Sequence, residues 1–283
     1  MTARPERVPA EEVRQRMLDA GRELALEAGV ALTIENLRLE EVIQRARVPR
    51  SSAYRLWPYR EDYTDDLLCY LAGDGSWFND RPIFDPETFT LVKRFIDENR
   101  PLIATLEGRR ALVCEIARVI TVRTYDSLTE STTWRLHMAL VATLGSTRSG
   151  EARRRIAAAL EDAQRRSRES IVAVLSYLAG ELGLRLRDPA YTLDHVQLAG
   201  GLLIQSLALR NVQVQAAAAP PGDGAADPAA AREPEVVNRL LNAPIPGPAL
   251  NGRQEEWTLT AYAYLGILDA FMELDPDFTP PAG

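Results

Sequence analysis

The sequence predicts an all-α protein made of a short N-terminal three-helix head and a larger helical body. Three observations carry this reading. Apolar residues recur three and four positions apart through most of the chain, beginning with Val13, Met17, Ala20, Leu24 and Ala28. No stretch shows the strict alternation of a half-buried strand. At 283 residues, of which 46% are hydrophobic, the chain is long enough for two units with real cores.

The elements follow in order. The first helix ends at Gly29, and a connection runs from Val30 to about Arg38. Val42, Ile43 and Ala46 form the apolar side of a short helix that Val48-Pro49 breaks. Ser51 to Trp57 is a second short helix, stopped by Pro58, with Ala53, Leu56 and Trp57 as its inner anchors. Arg60 to Leu71 is a further helix that turns Tyr63, Leu67, Leu68 and Leu71 inward. Gly73-Asp74-Gly75 is a break. It divides the chain into a head, 1–72, and a body, 73–283. Body helices are expected near Pro86–Asn99, Arg109–Ser127, Thr132–Leu144 and Gly150–Leu182. The last of these has an arginine-rich first half, read as exposed, and an apolar second half, read as buried. Asp188-Pro189 opens a helix from Ala190 to about Val212. Gln215 to Pro234 holds no large apolar residue and reads as a flexible loop, about 215–234. A short helix near Pro234–Leu241, a Pro/Gly-rich stretch from Pro244 to Gly252 and a final helix Glu255–Leu274 complete the chain.

Composition excludes several classes. No apolar run approaches the roughly 18 residues needed to span a bilayer, and the charged N-terminus has no apolar leader. A cytoplasmic protein with no membrane partner is expected. Cys69 and Cys114 sit in apolar helical patterns and read as buried hydrophobes rather than a disulfide. His137 and His195 are far apart, and no Cys/His spacing suits a metal. No metal site and no cofactor are expected. Gly145-Ser146-Thr147-Arg148-Ser149-Gly150 lacks the lysine and the preceding strand of a phosphate loop. With no nucleophile elbow, zinc-protease motif or dinucleotide fingerprint, no catalytic residues are assigned and the chain is not read as an enzyme.

Charge points elsewhere. The net charge is −7, yet Val42 to Tyr59 contains Arg45, Arg47, Arg50 and Arg55 and no acid. Arg60 follows at once, and acids crowd both flanks. A focused basic stripe on an acidic protein attracts phosphates there and repels them elsewhere. Two short helices joined by a tight turn and packed on a longer first helix describe a helix-turn-helix, whose second helix enters the major groove. Its candidate contacts with double-stranded DNA are Arg47, Arg50, Ser51, Ser52, Tyr54, Arg55, Tyr59 and Arg60. The plainer alternative is solvated surface arginines and a core Tyr54.

These residues resemble a known family. Met17-Leu18-Asp19-Ala20-Gly21-Arg22-Glu23-Leu24, with Glu27 and Gly29, is similar to the first helix of the TetR-type regulators. Thr33-Ile34 matches the Thr-plus-aliphatic pair that follows there. Val48-Pro49-Arg50-Ser51-Ser52-Ala53-Tyr54-Arg55-Leu56-Trp57 resembles that family's turn and recognition helix, commonly Val-Ser-x-Gly-Thr-Leu-Tyr-x-Tyr-Phe. Arg60-Glu61-Asp62 stands where the family has Lys-Glu. The likeness covers about the first 70 residues. Arg47 stands in place of the usual turn glycine, Ser51 replaces another glycine, and five extra residues follow Thr33-Ile34.

The resemblance implies that Tyr54 and Arg60 hold phosphates while Arg50, Ser51, Ser52 and Arg55 face base edges or nearby phosphates. It also implies a helical body that dimerises through its last two long helices and encloses an effector pocket. Leu198-Ala199-Gly200-Gly201-Leu202-Leu203-Ile204 is similar to that family's small-residue-rich next-to-last helix. Candidate homodimer contacts are Leu198, Gly201, Leu202, Gln205, Tyr262, Leu265 and Leu268. Candidate contacts to a small-molecule effector are Trp77, Phe78, Phe95, Arg123, Tyr125, Trp134, His137, Met138 and Tyr177, although for each of them ordinary core packing is the stronger reading. The expected function is a ligand-responsive transcriptional repressor on palindromic operator DNA. The alternatives are a helix-turn-helix protein without a ligand, or a helical enzyme.

Overall fold

The computed structural model describes residues 9–28, 37–73, 86–146, 150–218, 237, 239–248 and 256–280. They are mostly helical, as the apolar spacing requires. The helices are α1 (Ala10–Ala28), α2 (Leu39–Ala46), α3 (Arg50–Leu56), α4 (Arg60–Gly73), α5 (Pro86–Glu98), α6 (Leu106–Glu130), α7 (Thr132–Thr143), α8 (Gly150–Leu182), α9 (Leu193–Ala218) and α10 (Leu259–Phe271). Among the described residues no helix is long and apolar enough to cross a membrane.

The chain divides into two compact units. One comprises 1–80 with 131–166, the other 81–130 with 167–283. In the first, α1 lays Val13, Met17, Ala20 and Leu24 against Val42 and Ile43 of α2, Ala53 of α3 and Leu67 and Leu71 of α4. Leu140 of α7 joins the same core. Burying one such side chain contributes roughly 1.5–3 kcal/mol. The absence of a side chain at Gly21 lets α1 approach α4, because a β-carbon there would meet the Tyr63 hydroxyl and Leu67. Ala72 of α4 packs with Ile156 and Leu160 of α8.

In the second unit α6 is the spine. It buries Leu112, Val113, Ile116 and Ile120 and packs against α9 and α10. Two short antiparallel pairs tie down the C-terminal segment. β1 (Leu184–Leu186) pairs with β4 (Met272–Leu274), with Arg185 opposite Glu273. β2 (Ile245–Pro246) pairs with β3 (Glu256–Trp257).

Several expectations need correction. Among the described residues four short strands exist where none was expected. They run two or three residues each and leave no periodic signal. The first half of α8 is not uniformly exposed: Ala152, Ile156, Leu160 and Ala163 are buried, with the arginines on the opposite side. The helix expected from Ala190 begins at Leu193, because Asp188 Oδ1 accepts from the Ala190 N–H at 2.7 Å and holds a turn. Its end runs on through Gln215 to Ala218. The rest of the expected 215–234 loop, and residues 74 and 75 of the Gly73-Asp74-Gly75 break, lie outside the described residues. The final helix is shorter than Glu255–Leu274, since Met272–Leu274 joins β1.

Candidate nucleic-acid interface

Helix α2 ends at Arg47, which adopts the left-handed conformation (φ 52°, ψ 43°). Its N–H donates to the Gln44 carbonyl at 3.2 Å, and the Val48 N–H reaches the Ile43 carbonyl at 3.4 Å. This closes the helix as a C-cap glycine would. The chain then turns through extended Pro49 into α3. Ala53 and Trp57 are buried and anchor α3 from beneath. The Trp57 ring meets Tyr63 edge-on at 5.2 Å, and its Nε1–H donates to Asp66 Oδ2.

With those anchors inward, Arg50, Ser51, Tyr54 and Arg55 are exposed on the other side of α3, and Ser52 is half-buried. Arg47, Tyr59 and Arg60 are also exposed. Tyr54 is 39% exposed, so it is not a core residue. Arg45 turns away and forks onto Glu27 of α1, with both nitrogens at 2.8 Å. Sequence reasoning missed Glu40. Its Oε1 accepts from the Tyr54 hydroxyl at 2.8 Å and lies 3.4 Å from Arg50 Nη2. The Tyr54 hydrogen bond, helped by the Arg50 charge, holds the Glu40 carboxyl below its ordinary range. The sequence signal was faint, namely an acid one helix upstream of an acid-free stretch. Thr33-Ile34 lies outside the described residues.

The residues nominated for an effector divide between the units. Trp77 and Phe78 lie outside the described residues. Trp134, His137 and Met138 stand on α7 in the first unit; Trp134 and His137 are buried, and Met138 is half-buried. Burial pushes the His137 imidazole down to about 4, so it is neutral at physiological pH. Phe95, Arg123, Tyr125 and Tyr177 belong to the second unit. Phe95 and Tyr177 pack onto its core, with Tyr177 edge-on to Phe89 at 5.3 Å. Tyr125 is buried and its hydroxyl is pushed up to about 12 by desolvation, followed by the Asp126 charge. Arg123 is exposed and donates to Thr88 Oγ1 at 3.3 Å. An open groove of ≈ 770 Å³ lies elsewhere in this unit, floored by Leu106, Val113, Leu184, Leu268 and Met272. Arg110 with Asp269 and Arg187 with Glu273 form ion pairs among its lining residues. None of the nominated effector residues lines it.

The dimer candidates separate by periodicity. Leu198 and Leu202 of α9 are more than half exposed, Gly201 and Gln205 are half-buried, and Leu209 continues the stripe outward. On α10, Tyr262 is exposed and Leu268 half-buried. Leu265 is a correction: at 5% exposure it belongs to the interior, because 261, 264 and 265 share the inner side of the helix. Gly200 also faces inward, where a β-carbon would meet the Tyr264 ring. Among known protein families, curated proteins and solved structures, none matches this chain.

Proposed function

We propose that this chain is a ligand-responsive transcriptional regulator, a repressor that binds palindromic operator DNA as a homodimer and is released by a small apolar or amphipathic effector. In this reading α2, the Arg47 turn and α3 form a helix-turn-helix steadied by α1. One observation carries it. The left-handed turn and the buried Ala53 and Trp57 leave Arg50, Ser51, Tyr54 and Arg55 outward on a short helix. That is the arrangement a groove-reading helix needs, with donors for bases and phosphates on the outer side. Support for a homodimer comes from the stripe Leu198, Leu202, Gln205 and Leu209, spaced four, three and four residues apart along α9. An exposed apolar seam of this spacing suits a partner helix. The effector part rests on the family resemblance and on a body larger than DNA binding requires.

The test is fluorescence anisotropy with labelled duplexes from the region upstream of the gene. Affinity should fall steeply with salt, and replacing Arg50, Arg55 and Arg60 together by alanine should abolish binding. Undiminished affinity in that variant would overturn the reading.

A second reading, DNA binding without a sensor, is favoured by one observation. The described candidates for effector contact are divided between the units, where Trp134, His137 and Tyr125 are buried and the half-buried Phe95 and Tyr177 pack against a core. A thermal-shift screen of small molecules, followed by release of bound duplex, separates the two.

A further inference from the structure

We propose that Glu40 occupies, in the DNA-free protein, the phosphate position offered by Tyr54 and Arg50, so that the DNA backbone must displace a carboxylate before α3 can dock. The proposal rests on the reading of α3 as the DNA-contacting helix. Arg50 and Tyr54 stand one turn apart on α3, so their donors converge over one patch. A single carboxylate oxygen of Glu40 meets both, at 3.4 Å and 2.8 Å. Carboxylate and phosphate offer the same kind of anionic acceptor to such donors, so each can stand in for the other.

All three side chains are open to solvent: the Glu40 side chain is 51% exposed and that of Arg50 68%. The site is therefore reachable by a nucleic-acid backbone. Pairs this exposed contribute little to stability. Exchange of one anion for another is thus a matter of affinity rather than unfolding. The Tyr54 hydrogen bond keeps Glu40 ionised, so it repels an approaching phosphate until it swings away. Glu41 is the neighbouring acid on α2, but the Tyr54 hydrogen bond and the Arg50 ion pair are both accepted by Glu40. The outcome is a uniform restraint on DNA binding, applied to every sequence alike.

The experiment titrates a fluorescein-labelled duplex of random sequence with the full-length protein and with Glu40→Gln and Glu41→Gln, over a range of salt concentrations. Glutamine keeps the shape and removes the charge. Glu40→Gln should bind about threefold to tenfold tighter at low salt, with a salt slope steeper by up to about one. Glu41→Gln should change affinity by less than about twofold, and adding Tyr54→Phe should erase most of the Glu40→Gln gain. An unchanged or weakened Glu40→Gln overturns the proposal. An equal gain in Glu41→Gln also overturns it, since general charge removal then suffices. If neither the unmodified protein nor Glu40→Gln shows salt-dependent binding, the reading of α3 itself fails, and this proposal with it.

Discussion

The indole N–H of Trp57, at the end of α3, donates to Asp66 Oδ2 of α4 at 3.0 Å. Asp66 also accepts Arg14 at 2.8 Å and Arg155 at 2.9 Å, with its side chain only 12% exposed. Burial alone would raise its carboxyl, but the hydrogen bonds from Arg155 and Trp57 and the charge of Arg14 outweigh this and hold it below the ordinary range. A depressed folded pKa means stability that is present above the ordinary carboxylate range and lost as pH falls through it. Asp66→Ala should destabilise the protein by about 1–2 kcal/mol, chiefly because it leaves the buried Trp57 indole N–H without its acceptor, while the partly exposed Arg14 and Arg155 are taken up by water. A loss below about 0.5 kcal/mol in urea unfolding would show that these contacts do not hold α3 in place.

Arg47 pays a conformational cost that glycine would not. A left-handed non-glycine residue costs roughly 1–2 kcal/mol, partly offset by the backbone entropy glycine loses on folding. Arg47→Gly should therefore raise stability by about 0.5–1 kcal/mol. Arg47→Val should lower it. A lower melting temperature for Arg47→Gly would refute this account of the turn.

Much of the first unit was legible in advance, and for physical reasons. Val13, Met17 and Leu24 declare α1 because a helix returns to the same side every three to four residues. Ala53 and Trp57 were identified as inner anchors of α3 for the same reason. The pair β1–β4 was not legible, because each strand is three residues long and its register is set across the Arg185–Glu273 separation. Leu265 was misplaced because α10 is apolar nearly all round, so composition does not say which side faces in. Glu40 was missed because its partners lie across a turn, and only the crossing of α2 and α3 brings them together.

His137 ties stability to pH in one direction. Its folded value near 4 lies below the ordinary 6.5, so the unfolded chain takes up the proton first. Its contribution is complete above about pH 6.5 and shrinks as pH falls toward 4, by up to about 3 kcal/mol in all. Unfolding free energies at about pH 7.5 and about pH 5 should differ less in His137→Gln than in the unmodified protein. Equal pH slopes would mean that other groups govern acid sensitivity in this range.

Gly183 has φ +64°, and a β-carbon there would strike the Phe278 ring and the Arg109 guanidinium. Arg109 is itself buried, donating to the carbonyls of Leu182 at 3.3 Å and Asp275 at 2.8 Å while lying 5.0 Å from the Phe278 centroid. Gly183→Ala should cost about 2–4 kcal/mol, through both the backbone and the crowding. Thermal melts that superimpose on the unmodified protein would show that the segment simply moves aside.

Leu202→Arg places a charge on the exposed seam of α9, whereas Leu265→Arg buries one inside the fold. The first should give folded monomers with unchanged helical content. The second should unfold the protein, because an unpaired buried charge is severely unfavourable. Light scattering checks the prediction. It is refuted if the unmodified protein is already a monomer at micromolar concentration, or if Leu202→Arg remains dimeric.

Residues 131–166 complete the unit that begins the chain, and this order has a consequence during translation. Leu140, Ile156, Leu160 and Arg155, one of the two arginines that meet Asp66, all belong to that later segment. When residue 72 leaves the ribosome, the first helices therefore lack a wall of their core. They wait on the order of 5–20 seconds for the missing part to be synthesised. A fragment cut at residue 72 lacks that segment for good, with Ala72 uncovered and Asp66 keeping Arg14 and Trp57 but missing Arg155. The head is therefore not a cassette to be grafted onto another protein. A transplant that keeps its fold has to carry α7 and the first half of α8 with it.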